Sequence, residues 1–338
     1  MKFIYILLFS LSIQFSFAQN DINRLVEKGI TYHDAGNYEK AIETYQEALQ
    51  LNPKSSLVNY EISLSYFHNK DYKKAIKHSD VVIDNDDKHV KAAYITKGSC
   101  LDNLGKTKES IKLFKKGIRK FENDGLIYYN LALNHYKLKD FDEAEKVITQ
   151  GIGVQNNHAS SHLLLAYLNY DKSRNVQTLL NLHYFLFLEP NSRRSPQAAG
   201  LIKEIMGANV SQDKDKPNTI NISLSLPDDD DDFGAAEMML SMLEASKKLE
   251  KNEGKSEDEL FIANTDSFFT MMGELKKKKH KGIYWDIYVP FFDDLAKSEF
   301  METYYYHVMQ SVNENSTDWL NSHPQEVDAL MLWLKSKA

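Results

Sequence analysis

Along residues 22–190 the apolar positions fall at helical spacing and are punctuated by small side chains that return at a fixed distance. One slot holds Gly29, Ser63, Gly98, Ala132 and Ala166. A second, twelve residues on, holds Ala41, Ala75, Ser110, Ala144 and Thr178. Successive members of both rows are 34, 35, 34 and 34 residues apart. A small-residue period of this length predicts helical pairs stacked into a solenoid. Small side chains let paired helices approach to the short end of the usual ~8–10 Å range. Ala35-Gly36-Asn37 and Leu104-Gly105-Lys106 suit tight turns within a pair. Asn52-Pro53 and Glu189-Pro190 close repeats, because proline ends the helix before it. Such arrays build extended binding surfaces rather than catalytic cavities.

The pattern changes after residue 190. Ser195-Pro196 reads as a helix start, with serine as N-cap, and Gly207 as its stop. The helix between them, residues 198–206, would cap the array. Residues 212–218 are polar and loop-like. Residues 219–226 alternate, with Ile220, Ile222, Leu224 and Leu226 apolar, which is strand period. A lone strand needs a partner for its backbone, so packing on the chain itself is expected. Five aspartates, residues 228–232, read as a solvated linker without the ligand spacing of a calcium loop. Helices are expected over 233–250, 261–275 and 300–312, with a charged, flexible stretch over 250–259. Pro324 opens a last helix. The basic run 276–281, interrupted by His280, reads as a solvated helix end, while contact with anionic lipid, polysaccharide or the chain's own aspartate run is the sharper alternative. Residues 283–292 are the densest aromatic segment, and all three tryptophans lie beyond residue 280. The expected organisation is a leader at 1–18, an array with its capping helix at 22–207, a linker at 208–232 and a helical domain at 233–338.

The repeat slots resemble the tetratricopeptide repeat. The first unit carries Leu25, Gly29, Tyr32, Ala41, Tyr45 and Pro53, and departs from the family at Lys28. The second carries Ser63, Tyr66, Tyr72, Ala75 and Val82. The third has Tyr94, Gly98, Gly105, Ser110 and Phe114. The fourth has Tyr128, Leu131, Ala132, Phe141, Ala144 and Ile148. The fifth, most degenerate, keeps Leu165, Ala166, Leu182 and Pro190. The resemblance covers about half the chain. It implies an all-α fold: a right-handed solenoid of about five helical pairs with a capping helix, followed by a smaller, mostly helical domain. It also implies that the first helix of each pair lines a concave face. Carried onto this sequence, the groove positions are Tyr60, Leu64 and Phe67 in the second repeat, Tyr129, Leu133 and Tyr136 in the fourth, and Tyr167 and Tyr170 in the fifth. A protein or peptide segment is the partner this implies. Val26 and Ile30 stand where some members grip a terminal carboxylate with charged or amide groups, so that clamp is not expected.

Two readings of the groove stand side by side. An apolar stripe at helical spacing is usually core, and here the chain's own C-terminal region would fill it and would itself be the working surface. Alternatively, the groove stays open to an external segment, and the protein is an interaction scaffold of the cell envelope.

A net charge of -7 disfavours nucleic acid as a partner. Residues 1–18 have the form of an export signal: Lys2, an apolar stretch to Phe15, then Ser16-Phe17-Ala18. Cleavage near Ala18 would leave a periplasmic or secreted protein. Contact of the aromatic C-terminal surface with a membrane is left open.

No chemistry-bearing constellation rises above the background. Cys100, the only cysteine, reads as a buried structural thiol. His158 and His162 are four residues apart, but two histidines alone are a weak metal signal. There is no nucleophile elbow and no phosphate-binding glycine loop. The chain is read as non-catalytic, with no metal and no cofactor. An enzyme would have to reside in residues 208–338.

Overall fold

The computed structural model describes residues 20–122, 124–207, 210–212, 220–222, 233–247, 252 and 254–337. The expected leader at 1–18 and the aspartates at 228–232 lie outside them. The chain forms two compact units, Met1–Val147 and Ile148–Ala338.

In the first unit, residues 20–34 form α1. It is followed by α2 (Tyr38–Leu51), α3 (Ser56–His68), α4 (Tyr72–Asn85), α5 (Val90–Asn103), α6 (Thr107–Lys120), α7 (Gly125–Lys137) and the first half of α8 (Phe141–Val154). Side chains cap several of these helices. Asn37, Ser55, Asp71 and Asp124 accept the backbone N–H three residues on. A capping contact of this kind is worth about 1 kcal/mol.

The turn inside each pair is also built one way. Gly36, Lys70, Gly105 and Lys139 all have positive φ, between 60° and 75°. The residue after each donates its N–H to the carbonyl five positions back: Asn37 to Tyr32, Asp71 to Tyr66, Lys106 to Leu101, Asp140 to His135. This is the left-handed closure that ends many helices.

The small slots are small because rings occupy the space. A Cβ at Gly29 would lie 2.3 Å from the Tyr45 ring, and one at Gly98 would lie 2.2 Å from Phe114. Ser110 Oγ donates to the Gly98 carbonyl at 2.8 Å, tying the two slots of the third repeat together. Cys100 is fully buried in the core with Val58, Ile62 and Tyr66. Burial pushes its thiol up to about 12.

The second unit begins within α8 and continues with α9 (Ala159–Asp171), α10 (Asn175–Leu188) and α11 (Ser195–Gly207). The α9–α10 turn repeats the earlier device, with Ser173 at φ 57° and Arg174 bonding back to Asn169. Next come a short antiparallel ribbon, β1 (Val210–Gln212) with β2 (Ile220–Ile222), then α12 (Gly234–Ser246) and α13 (Glu257–Leu275). A π-helical turn, Tyr284–Tyr288, leads into α14 (Val289–Ala296). The chain ends in α15 (Met301–Met309), α16 (Glu314–Ser322) and α17 (Pro324–Lys335).

Helix α10 organises this unit. Every side chain from Val176 to Leu186 is buried. The helix packs on α9, α11, α12, α15 and the π-turn. Full burial of each aliphatic or aromatic side chain is worth roughly 1.5–3 kcal/mol relative to exposure. The capping helix covers one side of α10, and non-repeat helices cover the rest.

Several expected boundaries move. The strand of 219–226 is described only over Ile220–Ile222, and its partner is Val210–Gln212, whose last residue was expected to be loop. Ser195 lies inside α11 rather than capping it: its hydroxyl donates to the Glu189 carbonyl at 2.8 Å, closing the preceding turn. The helix expected over 233–250 is Gly234–Ser246. Helix α13 starts at Glu257, four residues early, because Ser256 and Glu259 form a reciprocal capping box within the supposedly flexible stretch. The helix expected over 300–312 ends at Met309, and Asn313 caps a separate α16.

Candidate partner-binding surface

In the first unit the first helices of successive pairs, α3, α5 and α7, lie side by side. His33 of α1 joins this face, its Nδ1 2.8 Å from Ser65 Oγ of α3. The six groove residues predicted here, Tyr60, Leu64, Phe67, Tyr129, Leu133 and Tyr136, are all half-buried. Each keeps part of its surface in water and rests the remainder on neighbours. Tyr60 stacks on His89 at 5.2 Å. Phe67 meets His68 edge-on at 5.4 Å and Tyr72 at 5.8 Å. Tyr136 leans on Phe141 at 5.5 Å. Burial, with the nearby Glu61 carboxylate, raises the Tyr60 phenol above its ordinary value, so the ring stays neutral.

The equivalent positions of the third repeat break the stripe. Ile95 continues the first row, but Ser99 stands between Leu64 and Leu133, and Asp102 between Phe67 and Tyr136. Asp102 is held by Thr107 Oγ1 at 2.8 Å and by the Lys137 ammonium. The face therefore carries two aromatic patches separated by a polar step.

Two histidines stand beside the first patch: His33, an inward position of the first repeat in the sequence pattern, and His68, which the sequence reading did not single out. Tyr38 stacks on His68 at 5.3 Å, and His33 sits edge-on to both. Burial, and the neighbouring His68, lower the His33 pKa. Histidine at the ends of α1 and α3 was the available signal.

In the second unit the predicted residues fare differently. Tyr167 is half-buried, and burial raises its phenol pKa. Tyr170 is 40% exposed, and its hydroxyl donates to Glu204 of α11 at 3.2 Å.

The chemistry of this unit sits deeper. His162 Nε2 is 2.7 Å from the Asn156 carbonyl, so it must be the donor. Its Nδ1 is therefore the acceptor, and Tyr288 Oη donates to it at 2.6 Å. Burial lowers the His162 pKa to about 4. His183 Nδ1 pairs with Tyr304 Oη at 2.9 Å, and burial takes that imidazole to about 3. Asn169 and Asn181 bond to each other at 3.0 Å and both to Tyr284 Oη. The π-turn makes this possible. It stacks Tyr284 on Tyr288 at 5.3 Å and sends both hydroxyls toward the α9–α10 hairpin.

The pair His158 and His162 is thus spoken for by structure, with His158 Nδ1 2.8 Å from Ser161 Oγ. Among the described residues no group of three or more His, Cys, Asp or Glu is arranged to hold a metal ion. Among them, too, no helix is long and apolar enough to cross a membrane.

Comparison with known proteins agrees with the repeat reading. Residues 34–117 match the family described as anaphase-promoting complex, cyclosome, subunit 3, and residues 126–158 match the tetratricopeptide repeat family. Among solved structures, the chain is similar to Pseudomonas aeruginosa pilF (15% identity, 56% of this chain and 89% of that one, TM-score 0.48). It is similar as well to a thermophilic TPR protein of Thermus thermophilus (14% identity, 55% and 98%, TM-score 0.46). A third is YrrB, described as a TPR protein with an unusual peptide-binding site (16% identity, 58% and 97%, TM-score 0.41).

Proposed function

We propose, from the premise that this chain is a tetratricopeptide-repeat protein, that it is a non-catalytic scaffold whose first unit holds a segment of a partner protein on the inner face of α3, α5 and α7. The observation that carries this reading is the pair of half-buried aromatic patches at equivalent positions of α3 and α7. Tyrosine and phenylalanine held this way contribute large contact area with little further loss of freedom. Between the patches, Ser99 and the Asp102–Lys137 pair call for a polar stretch in the bound segment. The partner is thus an extended peptide with two apolar anchors and a hydrophilic centre.

The fifth repeat supports the internal reading instead. Its α9–α10 hairpin is enclosed by helices from residues 233–338, through the tyrosine–histidine bonds described above. The scaffold therefore ends in a built-in stopper, and its working face belongs to the earlier repeats. The form of residues 1–18 supports export, and with export the partner would be a protein of the cell envelope or of the space outside the cell.

The test is a crosslinking capture from an envelope fraction, using the intact chain beside a Tyr60→Ala, Phe67→Ala, Tyr129→Ala variant. Proteins held by the wild type and lost by the folded variant would place the client on this face. Equal capture by both would remove the inner face from the function.

A further inference from the structure

The first unit has a second concavity, away from the inner face. An open cleft of about 600 Å³ lies between α4, the end of α5, and α6. Its floor is aliphatic: Ile76, Leu101, Leu104 and Leu113. Its rim is cationic, with Lys73 on one wall and Lys112 and Lys116 on the other. Two further rim lysines already have partners: Lys97 bonds to Asp80 at 2.5 Å and Lys106 to Glu109 at 3.2 Å. Lys73, Lys112 and Lys116 are exposed, and none of them has an ion pair among the described residues.

The charge is local and runs against the whole. Residues 73–120 hold thirteen Lys or Arg against six Asp or Glu, on a chain of net charge -7. Such an island is a field that selects an anionic visitor. The floor selects further. Four aliphatic side chains offer nothing to a bare polyanion, and a flat bilayer reaches the rim but not the floor. An acidic peptide bearing a leucine-sized side chain satisfies both, with its apolar group on Leu101, Leu104 and Leu113 and its carboxylates against the free ammonium groups.

We infer that the α4–α6 cleft is a docking site for an acidic protein segment with an apolar anchor, separate from the inner face. It gives the scaffold two surfaces of different chemistry on one unit. The carboxylates speed and orient the encounter, while the desolvated anchor supplies the affinity.

The test titrates the intact chain into a fluorescein-labelled peptide, Glu-Asp-Leu-Glu-Glu-Leu-Asp-Glu, and reads anisotropy at low and high salt. Saturable binding is expected, weakened by about tenfold or more in Lys112→Glu, Lys116→Glu and also at high salt. Replacing both peptide leucines with serine should cost about tenfold as well. The Tyr60→Ala, Phe67→Ala, Tyr129→Ala variant should bind the peptide as the wild type does, which separates this proposal from the preceding one. Both mutated lysines are exposed, and an unchanged thermal melt confirms that their variant is folded. Equal binding of the serine peptide, or competition by polyphosphate as effective as that by unlabelled peptide, would make the surface a simple polyanion site and overturn the proposal. Phosphatidylglycerol vesicles that recruit the chain through the same lysines while the peptide does not bind would overturn it in favour of a lipid.

Discussion

Helix α6 and helix α10 occupy the same place in their repeats, and they could hardly be surfaced more differently. Each is the second helix of a pair, and each follows a turn with a left-handed residue, Gly105 or Ser173. Helix α6 buries only Ser110, Phe114 and Gly117 and gives its other side to lysines. Helix α10 buries every residue from Val176 to Leu186. The repeat signature thus sets how two helices meet, through the small slots and the turn. It does not set what the outer side of the second helix does. Where that side is charged, the pair faces water; where it is apolar, the chain must supply a cover, and here residues 233–338 do so.

The sharpest way to break this contrast is to damage the cover alone. Phe292 is fully buried and stacks on Phe269 at 4.3 Å, with His183 and Tyr184 against it. Phe292→Ala should destabilise the second unit by about 3–5 kcal/mol. Hydrogen exchange followed by peptide should show α10 and α13–α15 opening while α3–α6 keep their protection. Equal loss in both units would mean that the cover is not specific to the α9–α10 hairpin.

Acid should separate the units next. His162 and His183 titrate at about 4 and about 3 in the folded protein because both are buried. Unfolded histidine titrates near 6.5. Below that value the unfolded chain takes up protons that the folded unit refuses, so stability falls as pH falls toward the folded values. Each ring should cost about 1.4 kcal/mol by about pH 5.5. In the first unit His78 is also lowered to about 4, by burial and by Lys77 and Lys74, and carries a similar cost, so that unit has one ring lowered this far where the second has two. Peptide-resolved exchange at neutral and mildly acid pH should find the tyrosine-bonded helices α9 and α10 loosening first.

The smallest expected effect tests the turns. Lys70 and Lys139 hold φ 62° and 60°, the conformation that Gly36 and Gly105 adopt without a Cβ penalty. Lys70→Gly and Lys139→Gly should each stabilise the first unit by about 0.5–1 kcal/mol, less the entropy that glycine adds to the unfolded chain. A chemical-denaturant midpoint measured on the double variant would show the gain, and a lowered midpoint would count against a strained turn.

The array was legible in the sequence because its constraints are local and periodic. Gly29 and Gly98 mark where Tyr45 and Phe114 lie, and their spacing alone placed the pairs. The turns at Lys70, Lys139 and Ser173 escaped notice, since lysine and serine do not advertise a positive φ. In the candidate surface, Tyr60 and Tyr129 were named from the repeat pattern and are half-buried, while the interruption at Asp102 becomes meaningful only with Lys137 beside it. The enclosure of the fifth repeat did leave a trace: Asn-Val-Gln-Thr-Leu-Leu-Asn-Leu-His-Tyr-Phe-Leu-Phe-Leu is apolar on every side, which marks a helix with no face for water. Which helices would surround it could not be read, because Tyr284, Tyr288 and Tyr304 reach it from more than a hundred residues away. The cleft on α4–α6 was equally hidden, as its lysines belong to three helices.

The closed flank of α10 also bears on how such a molecule can be counted. A helical array whose last pair is bare can be extended by another pair, or by the first pair of a second molecule, and so has no intrinsic length. Here the surface that a following repeat would need is already taken by the chain's own capping helix α11, and the π-turn and α15 pack on α10 beside it. Repeat number in this protein is therefore a fixed measure at that flank: duplication of a repeat can lengthen the array from within, but neither fusion nor self-association can add to it there without first evicting the cover.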